Sequence, residues 1–257
     1  MTTPRHKSAA YRLAELIIKP PLTVFTRRDW RGAEYLPMHR GFVACSNHIS
    51  HLDPFTLTHF LADHRCPPRF LAKESVFRIP VLGRILDRAG QIPVFRESSD
   101  AGNAFSAAVR AVEQGECVAI YPEGTLTRDP DLWPMVGKTG AARVALATGC
   151  PVIPIAQWGV QDVLEPYGKR VHLLPRRTVH VLAGPPVDFS AVAGSPADAE
   201  TLRAATDLIL DAITALLVQL RAGTPPAQRW DPGEHGQARL GNFRRQGSAF
   251  RRRGNAA

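Results

Sequence analysis

Between residues 41 and 183 the chain alternates short apolar runs with segments of helical period, and that alternation leaves few folds open. Phe42-Val43-Ala44-Cys45, Phe70-Leu71-Ala72 and residues 92–95, 117–121, 152–156 and 178–183 read as strands. They are nearly continuous in apolar character, as strands covered on both faces of a sheet must be. Between them, residues 52–62, 76–86, 100–114 and 140–148 read as helices, with Pro80 and Gly83 breaking the second. Phe105, Ala108, Val109 and Val112 share one helical face, and Gly115 and Gly149 stand where C-caps belong. The repetition predicts an α/β fold, a mostly parallel sheet flanked by helices. After a Gly/Pro/Ser-rich linker over 183–196, residues 199–220 read as a long amphipathic helix.

Charge divides the chain differently. The formal net charge is +9. Residues 1–31 hold seven Lys/Arg against Glu15 and Asp29, and residues 221–257 hold eight Arg against Asp231 and Glu234, so the body between is slightly acidic. Basic ends on such a body fit a polyanionic partner, either nucleic acid or the anionic face of a membrane; solvated tails that serve solubility alone are the plainer reading. Within the first end, residues 11–18 read as a short amphipathic helix that Pro20-Pro21 should terminate. It either lies in a bilayer interface or packs on its own domain. Beyond Ala222, Gly, Pro, Gln and Arg dominate, which predicts a mostly disordered tail. The expected organisation is therefore a basic N-terminal helical segment (1–31), an α/β domain (32–221) and an Arg-rich disordered tail (222–257).

With 44% hydrophobic and 21% charged residues, wholesale disorder is excluded. No run reaches the ~18 uninterrupted apolar residues that a spanning helix needs. No small-residue cleavage site follows the apolar stretch 13–25, which argues against a signal peptide. Cys45, Cys66, Cys117 and Cys150 lack C-x-x-C spacing and His neighbours for zinc, and read as reduced, structural thiols.

Asn47-His48-Ile49-Ser50-His51-Leu52-Asp53-Pro54 follows the first strand of the alternating region. Ligands bind at the carboxyl ends of strands in open α/β sheets, so a histidine here is well placed. If a helix begins near Leu52, the intervening turn folds the Asp53 carboxylate onto the imidazole. A carboxylate on Nδ1–H leaves Nε2 free to take a proton from a hydroxyl, the base-and-orienter half of a triad without a protein nucleophile. The plainer reading makes Asp53 a helix cap and His48 a backbone-bonding residue. His51 raises a metal site, but no further ligand is spaced to complete one. Tyr121-Pro122-Glu123-Gly124-Thr125 follows another strand and brings Glu123 and Thr125 to the same rim. Gly137-Lys138-Thr139 ends like a phosphate-binding loop, yet Leu132 stands where that motif needs glycine. There is no G-x-S-x-G, and only Phe243 and Phe250 interleave the tail arginines, which speaks against a serine hydrolase and against nucleic acid.

Together with Phe70-Leu71-Ala72-Lys73, Phe77, Pro80, Gly83, Gly90, Ile92, Val94, Arg96, Lys138 and Val152-Ile153-Pro154-Ile155-Ala156, these segments resemble the four motif blocks of the glycerolipid acyltransferase family, best known for the lysophosphatidic acid acyltransferases. The resemblance runs over about 42–189, with the blocks in order and at the expected spacing. It implies that His48 is the base and Asp53 its partner, that Arg96 binds the acceptor phosphate, and that Glu123, Gly124 and Thr125 shape the glycerophosphate site. Pro154 falls in the block assigned to the acyl or donor side. One departure stands out: where the family commonly reads E-G-T-R-S, Leu126 and Thr127 follow Thr125 here. Arg128, two places on, is the candidate for that phosphate contact, and Lys73 is a structural or phosphate-side charge.

What the resemblance implies is acyl transfer from acyl-CoA or acyl carrier protein to the free hydroxyl of lysophosphatidic acid, giving phosphatidic acid, or the same chemistry on another lysophospholipid or a glycolipid. It implies no cofactor and no metal. The expected partners are the lysophospholipid acceptor, the acyl thioester and an anionic membrane surface, with the protein peripheral or monotopic on the cytosolic face of the cell membrane.

Overall fold

The structure, a computed structural model, describes residues 7–94 and 101–237. Seven strands form one sheet: β1 (Thr26–Arg31), β2 (Phe42–Ser46), β3 (Pro68–Lys73), β4 (Ile92–Val94), β5 (Cys117–Ile120), β6 (Val152–Trp158) and β7 (Arg177–Ala183). Their order is β1-β7-β6-β2-β5-β3-β4. Strands β2 to β6 run parallel to their neighbours within that group. β7 is antiparallel to β6 and β1 is parallel to β7, so the outer pair runs against the rest. The sheet is thus mostly parallel and covered by helices on both faces.

Among the described residues seven α-helices complete the fold: α1 (Ala9–Phe25), α2 (Asp53–Asp63), α3 (Glu74–Phe77), α4 (Leu82–Arg88), α5 (Ala101–Glu113), α6 (Gly140–Thr148) and α7 (Ala199–Leu220). The period-2 geometry of the strands sorts the core into two layers. Val43, Val118, Val152 and Ala156 point to the face covered by α5, α6 and α7, where Ala108, Ala142, Ile209 and Ile213 meet them. Phe42, Ala44, Ala119, Ile153 and Ile155 point the other way, onto Leu57, Phe60 and Leu61 of α2. All four cysteines are free and buried.

One expectation needs correction. Pro20-Pro21 does not end the first helix, which runs on to Phe25. Both rings lie on exposed positions, and ion pairs fix the helix just before the weak point. Glu15 bridges Lys7 (2.9 Å) and Lys19 (2.7 Å), and Lys19 reaches Asp63 of α2 (2.5 Å). Tertiary contacts outweigh the local cost of proline. The polar run Thr26–Arg31 then forms β1, so the sheet begins before residue 32. It has little strand character of its own; pairing along β7 and the edge contacts of Trp30 with His59 and Phe60 supply what the run lacks.

Part of the expected tail is described. Residues 223–237 pack against α7 and the loop before α6. Arg221 lies between the indoles of Trp133 (4.3 Å) and Trp158 (4.2 Å), Arg229 pairs with Asp207 (2.9 Å) and with Asp211, and the Trp230 carbonyl accepts from Val136 N–H (3.1 Å). Average composition hides such specific partners. The rest of the expected tail, 238–257, lies outside the described residues. Among the described residues no helix is long and apolar enough to cross a membrane.

Candidate active site

The end of β2 and the start of α2 hold His48 and Asp53 in place. Asp53 is the first residue of α2, followed by Pro54, which suits a first helical turn because it has no amide to satisfy there. Its carboxylate turns back over the connecting loop. Oδ2 lies 2.9 Å from His48 Nδ1 and also accepts the Ile49 N–H (2.6 Å) and Ser50 N–H (2.7 Å). Asp53 is fully buried, and the His48 side chain is 15% exposed. A carboxylate oxygen that already accepts two amides assigns Nδ1 as a third donor. That fixes the tautomer and leaves the Nε2 lone pair available.

The backbone of His48 is held just as firmly. Glu123 Oε1 accepts the His48 N–H (3.0 Å) while Oε2 accepts Met135 N–H (3.1 Å), and the His48 carbonyl accepts from Thr127 N–H (2.7 Å). Glu123 is 2% exposed, and burial pushes its carboxyl up to about 8 against the pull of those amide donors. The imidazole stacks on Tyr121 (centroids 4.2 Å apart), which in turn stacks on Phe70 (6.0 Å). Beneath the turn, Asn47 exchanges two hydrogen bonds with the Gln157 backbone (3.0 and 2.8 Å), and the Gln157 side chain accepts from Thr56 (2.6 Å). A buried polar network satisfied in this way fixes one geometry. The Ser50 hydroxyl donates to the Leu164 carbonyl (2.7 Å), so it is not presented to His48 as a nucleophile.

His48 opens on a cavity of about 1190 Å³. Its apolar lining comes from Ala14 and Ile18 of α1, Phe70 and Leu71 of β3, and Leu82, Ile85 and Leu86 of α4. Polar and cationic groups also line it: Lys73, Arg78, Thr125, Lys138 and Tyr167. Gly124 (φ +70°) makes the turn after Pro122, and a Cβ there would stand 3.0–3.1 Å from Lys138 Cδ, Cε and Nζ. The missing side chain is what lets the lysine lie across that turn. Among the described residues no cluster of three or more His, Cys, Asp or Glu is placed to hold a metal ion.

His48, Asp53, Lys73, Gly124 and Thr125 therefore meet at one site. Glu123 lies behind His48 rather than in the cavity. Arg128 is 4% exposed and is not among the cavity-lining side chains. Arg96 lies outside the described residues. Lys138, Tyr167 and Gln157 carry no role in the sequence reading. Gln157 was the most detectable, the one polar residue within an otherwise apolar strand.

The acyltransferase family model matches residues 27–158. The chain is 33% identical over 132 residues to a 1-acyl-sn-glycerol-3-phosphate acyltransferase of Borreliella burgdorferi, covering 51% of each chain. It is 31% identical over 154 residues to a chloroplastic 1-acyl-sn-glycerol-3-phosphate acyltransferase of Brassica napus, covering 59% of this chain and 43% of that one. The chain thus spans about half the length of the curated relatives it matches. The crystal structure of the 1-acyl-sn-glycerophosphate (LPA) acyltransferase PlsC from Thermotoga maritima shares the fold, with a TM-score of 0.64 at 22% identity over 85% of this chain and 83% of that one. With an ordered dyad at the end of a sheet strand and a family model covering its surroundings, the chain belongs to the acyltransferase family.

Proposed function

We propose that this protein transfers a fatty acyl group from a thioester, acyl-CoA or acyl carrier protein, to the free hydroxyl of lysophosphatidic acid, forming phosphatidic acid. The observation that carries the reading is the buried Asp53 carboxylate on His48 Nδ1, with the imidazole facing a cavity whose lining is largely apolar. The names of the relatives point to the same acceptor.

The thioester is already activated, so no acyl-enzyme is required. His48 Nε2 takes the proton of the acceptor hydroxyl as its oxygen attacks the thioester carbon. The resulting imidazolium is stabilised by Asp53. The tetrahedral intermediate collapses, the carbon–sulfur bond breaks, and the imidazolium returns its proton to the departing thiolate. General-base help of this kind contributes ~10²–10⁴-fold. Holding the acceptor against the donor contributes several kcal/mol more, up to about 7–11 in well-oriented systems. Glu123 acts through the His48 backbone as a positioning residue.

In this reading Lys73 and Lys138 attract the acceptor phosphate, joined by Arg96 on the strength of the resemblance. Leu126 lines the cavity where the family commonly carries arginine, and that favours a second reading with another lysophospholipid or a glycolipid as acceptor. The substrates place the protein peripherally on the cytosolic face of a membrane, with basic residues at both ends of the chain drawn to anionic lipid.

The deciding assay mixes purified protein with acyl-CoA and measures thiol release with and without lysophosphatidate, beside His48→Ala. Release that depends on the acceptor and disappears in the variant supports the proposal. Release independent of every lysolipid offered, or retained by His48→Ala, overturns it.

A further inference from the structure

The connector between β6 and β7 carries a surface that the acyl-transfer chemistry does not use. Over 168–177 the sequence reads Gly-Lys-Arg-Val-His-Leu-Leu-Pro-Arg-Arg, with four cations and no acid. Three of its aliphatic side chains face solvent: Val171 is 50% exposed, Leu173 38% and Leu174 78%. Single exposed aliphatics are ordinary on any surface. Three within four residues, flanked on both sides by Lys169, Arg170, Arg176 and Arg177, are not.

The base of this connector is fixed to the active site. Leu164 pairs with Val171, and His172 N–H donates to the Val163 carbonyl (2.8 Å). The Ser50 hydroxyl holds the Leu164 carbonyl (2.7 Å), and Tyr167, itself part of the cavity wall, donates to the Leu126 carbonyl (2.8 Å). At the far end Arg176 donates to the carbonyls of Thr23 (2.9 Å) and Thr26 (2.8 Å), joining the connector to the end of α1, where Val24 is 59% exposed.

We propose that residues 168–177 form a bilayer-contacting element that sets the cavity of this enzyme against an anionic lipid surface. The inference rests on the lipid-acyltransferase reading and names the surface from which its substrate comes. Aliphatic side chains enter the interfacial region while the flanking cations meet lipid phosphates, the division of labour of an interfacial segment. Nucleic acid fits poorly, because the exposed residues between the cations are aliphatic and His172 alone offers an aromatic ring for base stacking. A second copy of the chain fits poorly too, since a two-fold contact would set four cations against four.

The test uses the full chain and sedimentation with vesicles of equimolar phosphatidylcholine and phosphatidylglycerol, beside pure phosphatidylcholine. At about five-fold per cation, Lys169→Gln/Arg170→Gln should bind the anionic vesicles about 25-fold more weakly and leave binding to neutral ones unchanged. Leu173→Ser/Leu174→Ser should weaken binding to both. Neither pair should alter turnover of substrate presented in detergent micelles. Wild-type binding by both variants overturns the proposal, as does a wild-type dimer that the variants abolish without any change in vesicle binding. Absence of micellar turnover in the wild type would sink the acyltransferase reading and leave the vesicle result to stand or fall separately.

Discussion

Among the described residues, two His–Asp pairs have nearly equal length and very different surroundings. His48 Nδ1 stands 2.9 Å from Asp53, and His180 Nδ1 stands 2.7 Å from Asp29 across β1 and β7. At His180 both partners are part-exposed (29% and 37%), and Asp29 is shared with Arg31 at 3.3 Å. Water screens that pair and the arginine competes for its carboxylate, so its contribution is that of a surface ion pair. At His48 the carboxylate is sealed from water, is fixed by two backbone amides, and orients a ring that stacks on Tyr121 and faces a cavity. The separation of the two groups carries little information. Burial of the orienting group, its extra donors and access to a substrate-sized space make the difference.

The comparison can be broken most directly at the base. His48→Ala should lower acceptor-dependent turnover by about 10⁴-fold with an unchanged far-ultraviolet spectrum, while an effect below ten-fold would remove the dyad from the mechanism. Asp53→Asn should cost about 10²–10³-fold, because an amide neither stabilises the imidazolium nor selects the Nδ1–H tautomer. The loss should fall on the turnover number, with the acceptor KM and the far-ultraviolet spectrum unchanged, a split that a purely structural fault would not produce.

Glu123 sharpens the contrast, since the His180 pair has no such buried support. Glu123→Gln must set an amide NH₂ against one of two backbone donors and should cost about 1–3 kcal/mol of stability. The turnover number should fall about ten-fold with little change in acceptor KM, on the order expected when a positioning contact is loosened. The pH dependence follows from the raised carboxyl. From its ordinary value of 4.5 to about 8 the folded protein holds a proton that the unfolded chain has lost, so stability falls as pH rises through that window. Urea midpoints at acid and alkaline pH should therefore differ less in Glu123→Gln than in the wild type. At the other extreme, His180→Ala should leave turnover within about two-fold and stability within about 1 kcal/mol. A large activity loss there would show that geometry alone makes a functional pair.

Much of this was legible in the residues. The strands from Phe42 to Ala183 announce themselves because burial on both faces demands unbroken apolar runs, and α6 and α7 begin and end where their caps and periods place them. The contact of His48 with Asp53 was legible because it is local: five residues and a helix start suffice to bring imidazole and carboxylate together. β1 was not legible, since Thr26–Arg31 is polar and draws its strand conformation from β7, some 150 residues away. Arg128 looked like a phosphate ligand by its spacing, yet the loop buries it; Lys138 looked like the remnant of a failed motif, yet the Gly124 turn brings it to the cavity. By itself the sequence determined the parallel core and the meeting of His48 with Asp53, because periodicity and short-range spacing encode both. Only the tertiary structure decided which cations reach the cavity and how the chain ends pack, because those contacts join residues far apart in the chain and leave no periodic trace.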